Sequence, residues 1–77
     1  MLFFRKLSLA EKEREVDALE GVVGHVVGER ISVAELGHEG WAHCPLKING
    51  FTIMMRGRIW IYLNEEEGII QKIREVQ

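Results

Sequence analysis

The chain has 77 residues, 47% of them hydrophobic and 29% charged, and a net charge of −2 that excludes a strong overall attraction to nucleic acid. This length predicts one domain over residues 1–77, and the composition lies far from that of disordered chains. One cysteine excludes an internal disulfide and favours a cytoplasmic protein, and no apolar run reaches the roughly 20 residues that span a bilayer.

The first third of the chain predicts a helix. Residues 1–7 begin with an apolar run that fits either an edge strand or a free arm. Ser8 and Glu11 then have the spacing of a capping box, and apolar residues recur near every 3.6 positions. This pattern predicts a helix over about 9–28. The later half, G-V-V-G-H-V-V-G, also fits a strand because it is rich in valine and glycine.

A second, shorter helix is predicted over about 33–37. Ser32 and Glu35 repeat the capping-box spacing, and Gly37 is a natural helix end. The stretch A-E-L-G-H resembles the zinc-protease motif H-E-x-x-H but has alanine at position 34 in place of the first histidine. The loop that follows supplies zinc-binding residue types at positions His38, His43 and Cys44, without a C-x-x-C pair. Zinc binding there is one hypothesis; polar surface and an inert thiol are the alternative.

The segment 45–63 predicts a three-stranded antiparallel β-meander. Asn49-Gly50 is the preferred dipeptide of a type I′ turn, which pairs Leu46 with Ile53. A three-residue loop, Met55-Arg56-Gly57, would end with glycine in the left-handed conformation and pair Ile53 with Ile59. Both turns then place one set of side chains on the buried face of the sheet: Leu46, Ile48, Phe51, Ile53, Ile59, Ile61 and Leu63. The opposite set faces outward: Lys47, Thr52, Met54, Arg58, Trp60 and Tyr62.

The end of the chain predicts a last helix that packs on the buried face of the sheet. Asn64 has the type and position of an N-cap, and three glutamates follow it near the positive end of the helix dipole. The apolar stripe consists of Ile69, Ile70, Ile73 and Val76. The predicted class is therefore α+β, with element order (β)-α-α-β-β-β-α.

The predicted outward face is the strongest candidate for function. It mixes aromatic, sulfur-containing and basic side chains, the types enriched at protein interfaces. We expect a non-catalytic binding or regulatory module that acts through protein association, as a homodimer or as a subunit of a complex, because a core this small favours association. Single-stranded nucleic acid is an alternative ligand of the same face, and the zinc loop is a further alternative. The expected interface residues are Lys47, Met54, Arg56, Arg58, Trp60 and Tyr62.

Overall fold

The computed structural model describes residue 14 and residues 18–76, which form an α+β fold, as predicted. Residues 18–23 are helical and form α1. The other elements are α2 (Val33–His38), β1 (Ala42–His43), β2 (Thr52–Arg56), β3 (Ile59–Asn64) and β4 (Ile69–Glu75). The four strands form one antiparallel sheet in the order β1-β2-β3-β4.

The helix predicted over about 9–28 ends at residue 23. Gly24 adopts a φ of 78°, which glycine reaches without steric cost, and its N–H donates to the Glu20 carbonyl oxygen at 2.9 Å. Val22 and Val23 of the predicted later half therefore belong to the helix, and Val26 and Val27 lie beyond it. The predicted start of this helix and the strand or arm at residues 1–7 lie outside the described residues.

The second predicted helix is confirmed as α2. Ser32 Oγ accepts a hydrogen bond from the Glu35 N–H at 3.1 Å and so caps α2. Leu36 is fully buried, and its carbonyl oxygen accepts from the Trp41 N–H at 3.1 Å. This bond folds the chain back beneath the helix, and Trp41 enters the core.

The first predicted turn is correct, but the strand before it is not. Asn49 and Gly50 have φ values of 52° and 81°, as a type I′ turn requires, and Ile48 and Phe51 exchange two backbone hydrogen bonds. The predicted pairing of Leu46 with Ile53 does not form. Instead, β2 pairs with the two residues of β1, 42–43.

The second predicted turn is wrong in length and position. Arg56 pairs with Ile59, so the turn contains two residues, Gly57 and Arg58. Gly57 has a φ of 61° at the first central position, where a type II′ turn needs glycine. Ile53 therefore pairs with Tyr62 and not with Ile59. The register differs from the prediction by three residues, and because this number is odd, β2 presents its other face to the core.

The two faces of the sheet differ in their surroundings. The core face packs against α1, α2 and Trp41 in one buried cluster, and its sheet members are Met54, Ile61, Leu63, Ile70 and Ile73. The outer face lies on the opposite side, and its residues in register are Ile53, Met55, Trp60, Tyr62, Lys72 and Arg74. The predicted faces are thereby corrected: Thr52 and Met54, expected outside, are each 1% exposed on the core side. Ile53, expected on the core face, shares the outer face with Trp60, although it is 0% exposed.

The predicted C-terminal helix is wrong, because this segment is β4. Asn64 Oδ1 does accept from the Glu67 N–H at 3.1 Å, as an N-cap would, but it closes a turn. The Gly68 N–H donates to the Asn64 carbonyl oxygen at 2.7 Å, and Gly68 has a φ of 71°, which ends the helical path after one turn. The β-branched isoleucines that follow suit an extended strand.

A β-bulge interrupts the pairing of β3 with β4. Tyr62 pairs with Lys72, but the next residue, Leu63, pairs with Ile70. Gln71 is therefore an extra residue without a partner on β3. Because of it, Ile70 and Ile73 both reach the core face although three positions separate them.

Candidate functional site

Two aromatic rings lie next to each other on the outer face. The ring centroids of Trp60 and Tyr62 are 6.2 Å apart, because alternate residues of β3 point to the same side. Phe51 contacts Tyr62 edge to face at 6.4 Å. Tyr62 is 7% exposed, whereas Trp60 is half-buried. The Tyr62 end of this face is therefore covered, and the Trp60 end is accessible.

Two exposed cations of β4 lie against these rings. Lys72 pairs with Tyr62 in register, and its Nζ lies 5.6 Å from the centroid of the Tyr62 ring. Arg74 pairs with Trp60, and its Nη1 donates to Tyr62 Oη at 3.3 Å. The ring quadrupole attracts the Lys72 cation, and the hydrogen bond holds Arg74, so both side chains stay above the sheet. With exposed Arg58 in the adjoining turn, they form the outer patch: Arg58, Trp60, Tyr62, Lys72 and Arg74.

The structure brings together only part of the predicted interface. Arg58, Trp60 and Tyr62 belong to the outer patch. Lys47 is exposed in the loop before the hairpin and faces Glu65, with Nζ and Oε2 3.9 Å apart. Met54 lies in the core, as described above.

Arg56 makes contacts within the molecule. Its guanidinium carbon lies 4.4 Å from the centroid of the Trp41 ring, and its Nη1 donates to the Glu39 carbonyl oxygen at 3.3 Å. Both partners belong to the segment that follows α2. Arg56 therefore connects β2 to that segment and lies apart from the outer patch, contrary to the prediction.

The sequence interpretation missed Lys72 and Arg74. The predicted C-terminal helix would place both in its last turn, away from the sheet. The signal that identifies them is the alternation of Lys72, Ile73 and Arg74 after a glycine, which is typical of a strand with one buried face.

A buried histidine lies between two carboxylates on the other side of the molecule. His25 is 9% exposed; its Nδ1 lies 2.6 Å from Glu29 Oε2, and its Nε2 lies 2.6 Å from Glu39 Oε1. Burial opposes the charge of the ring and lowers its pKa, but the hydrogen bonds to Glu39 and Glu29 and their charges raise it, so the pKa of His25 lies above its ordinary value. The three side chains connect the segment after α1 to the end of α2.

The same contacts act on Glu29 in the opposite direction. Burial alone raises the pKa of its carboxyl, but hydrogen bonds from His25 and from the Val26 N–H, together with the charge of His25, lower the pKa below its ordinary value. The Val26 N–H donates to Glu29 Oε1 at 3.1 Å. Both ring nitrogens of His25 are occupied by carboxylates on different sides, so this arrangement is an internal ion-paired bridge.

The three residues of the zinc hypothesis belong to different local structures. His38 ends α2 and is exposed, His43 lies in β1 opposite Met54 and is exposed, and Cys44 is half-buried. Within residue 14 and residues 18–76, no group of three or more His, Cys, Asp or Glu side chains is placed to hold a metal ion. Zinc binding by this loop thus stays a prediction of the sequence.

An open cavity of about 500 Å³ lies between the start of α2 and the turn from β3 to β4. Its lining mixes apolar residues with exposed charged ones: Arg30, Ile31, Ser32, Val33, Ala34, Glu35, Leu63, Glu65 and Gly68. The charged side chains of this lining are open to solvent. The cavity is therefore a shallow surface feature, separate from the outer patch.

Comparison with known proteins finds no matching family model, no matching curated protein and no matching solved structure. None of the helices in the part of the chain that the structure describes has the length and apolar character needed to cross a membrane.

Proposed function

We propose that this protein is a small non-catalytic binding module that associates with a protein partner through the outer patch. One observation supports the proposal above the others: the half-buried Trp60 lies beside Arg74 and Lys72 on the sheet face opposite the core. Tryptophan and arginine dominate the binding energy of protein interfaces when they are desolvated together. The partner is a second copy of this chain or another subunit of a complex, and the single cysteine supports a cytoplasmic location.

The charge of the outer patch indicates the chemistry of the partner. Arg58, Lys72 and Arg74 are exposed, and the rings they border are neutral. An acidic surface pairs with this set, because complementary charges steer association and fix its orientation. A partner of this kind covers Trp60 at the centre and leaves the cations at the rim.

Replacing Trp60 with alanine should weaken this association at least about tenfold, because a central aromatic anchor contributes 2 kcal/mol or more to binding, on the order of hot-spot residues. Native mass spectrometry and sedimentation velocity of the protein with its copurifying subunits measure the change. Leu46→Ala is the matched control, since Leu46 is 71% exposed on a different part of the surface.

Two results would contradict the proposal that the outer patch is the interface. Unchanged oligomer mass and partner capture for Trp60→Ala would contradict the proposal. Equal losses for Trp60→Ala and Leu46→Ala would do the same, because they would indicate a general effect of exposed apolar area. Circular dichroism of both variants checks that the secondary structure is intact.

A second candidate function is binding of single-stranded nucleic acid. The observation in its favour is that Lys72 and Arg74 lie beside Trp60, since cations around an aromatic side chain can hold a stacked base and its phosphates. Against it, Tyr62 is 7% exposed, so Trp60 is the accessible ring of the two in the outer patch.

Nucleic-acid binding predicts a clear dependence on salt. Three phosphate contacts, one for each cation of the outer patch, give a slope of log affinity against log salt of about −2 for a single strand. Fluorescence anisotropy with labelled oligonucleotides of mixed sequence measures it, and Lys72→Gln should reduce the slope. A flat titration at low salt would exclude this function.

A further inference from the structure

The outer edge of β4 is only partly covered. β4 is the last strand in the sheet order, and its inner edge pairs with β3. Along the outer edge, Arg30 forms a bridge with Ile69, the Gly28 N–H donates to the Ile70 carbonyl oxygen at 2.7 Å, and the Ile70 N–H donates to the Glu29 carbonyl oxygen at 2.9 Å. Gly28, with a φ of 92°, then turns this segment away. The backbone hydrogen bonds between this segment and the outer edge of β4 therefore end at Ile70.

The rest of the edge, residues 71–75, presents backbone groups outward. The Val76 N–H donates to the Arg58 carbonyl oxygen at 2.6 Å, which places Val76 at a hydrogen-bonded position of the ladder with β3. In an antiparallel ladder such positions alternate, so the N–H and C=O groups of Ile73 and Glu75 point away from β3. Among the described residues, none forms a backbone hydrogen bond with these outward groups. A strand of another chain can form hydrogen bonds with these N–H and C=O groups.

The side chains along this edge select what can pair with it. Lys72 and Arg74 point to the outer face, and Ile73 between them points to the core face. Directly opposed residues of two strands lie on the same face, and like charges there are destabilising. A second β4 placed across a two-fold axis at Ile73 would bring Lys72 opposite Arg74 of the other copy. The charges therefore disfavour an edge-to-edge homodimer, which is a common role of edge lysines.

We propose that residues 71–75 of β4 bind an extended acidic segment of a partner protein, which adds as a fifth strand. In this segment, acidic residues lie opposite Lys72 and Arg74, and an apolar residue lies opposite Ile73. Two exposed valines at the border of the open edge, Val26 (51% exposed) and Val27 (44% exposed), offer apolar contact to its end. The inference rests on the proposed function, because it names the partner chemistry and the binding mode of the same sheet.

The test uses an acetylated and amidated heptapeptide of alternating glutamate and valine as the probe, with the full chain as the receptor. Glu75→Pro removes an outward N–H and keeps the bonds to β3, so it should weaken binding roughly tenfold. Glu75→Ala keeps that N–H and removes an acidic side chain, so it should bind at least as tightly as the native protein. Isothermal titration calorimetry measures both, and circular dichroism checks that both variants are folded.

Two further peptides test backbone pairing and charge on the native protein, independently of any variant. A peptide N-methylated at its valine amides should lose binding, because the valine that lies opposite Ile73 in an antiparallel strand directs its N–H toward β4. A peptide with lysine in place of glutamate should bind at least roughly tenfold more weakly, because like charges then face Lys72 and Arg74. Amide exchange at Ile73 and Glu75 should slow when the acidic peptide binds.

The outcomes separate this inference from the proposed function. Equal binding of the N-methylated peptide, or no binding of the acidic peptide, would overturn strand addition. If Trp60→Ala abolishes association while Glu75→Pro has no effect, the outer patch is the interface and the edge is not. If Glu75→Pro alone weakens peptide binding while Trp60→Ala leaves association unchanged, the edge is used and the outer patch fails.

Discussion

Replacing Met54 with alanine should lower the free energy of unfolding by about 2–5 kcal/mol, the range of large-to-small substitutions in a well-packed core. Met54 is 1% exposed and belongs to the buried cluster, where its side chain packs with that of Ile61, its partner in register. The cavity left behind removes contacts that the rigid sheet cannot restore. Urea unfolding followed by tryptophan fluorescence measures the change.

The neighbouring residue provides the matched control. Met55 has the same side chain, lies on the opposite face and is half-buried, so Met55→Ala should cost about 1 kcal/mol. The comparison tests the strand register, because the sequence-based pairing places Met54 on the outward face and Met55 in the turn. A larger loss for Met55→Ala than for Met54→Ala would refute the register described above.

The bridge of His25 should make stability depend on pH in two directions. Both ring nitrogens donate only in the charged form, and in that form they bind Glu29 and Glu39 at 2.6 Å each. Since the pKa of His25 is raised in the folded state, its contribution is fully present below the pKa of the unfolded state and is lost as pH rises through the folded pKa. Since the pKa of Glu29 is lowered, its contribution is present above the unfolded pKa and is lost as pH falls through the folded pKa.

The free energy of unfolding should therefore be greatest between the ordinary pKa values of a glutamate and a histidine. The His25→Ala variant should lose about 1–3 kcal/mol in this window, on the order of hydrogen bonds to charged groups, and should lose the decline toward higher pH. His38→Ala is the control, because His38 is exposed at the end of α2. Denaturant unfolding at a series of pH values measures both. An equal decline in native protein and His25→Ala would show that His25 is not the titrating group.

Short-range chemistry made part of the fold predictable. The Ser32 cap and the Asn49-Gly50 turn each depend on residues within a few positions of one another, so a local pattern suffices to identify them. The second hairpin differs, because two turns compete for Gly57. Both place the glycine at a positive φ, and the choice depends on which side of β2 packs in the core. That is a long-range question, because α1, α2 and Trp41 supply the other half of the packing.

The same limit explains the error at the C-terminus. Asn64 and the glutamates after it form a helical start, and the three-residue spacing of Ile70 and Ile73 fits a helical stripe. The structure uses this spacing in a strand through an extra residue, and no period-two or period-3.6 pattern anticipates a bulge. Lys72 and Arg74 were missed as a consequence, and with them most of the charge of the outer patch.

As the residue of the bulge, Gln71 determines which face of the sheet each later residue of β4 occupies. If Gln71 paired with Tyr62 in a regular ladder, the alternation would run unbroken from Ile70 through Gln71, and the cations and the isoleucine between them would exchange sides. Either the charges of Lys72 and Arg74 would then be buried beneath α2, or the sheet would end before Lys72. The basic character of the outer patch thus depends on one residue staying unpaired in the bulge, and the side chain of that residue is itself exposed to solvent.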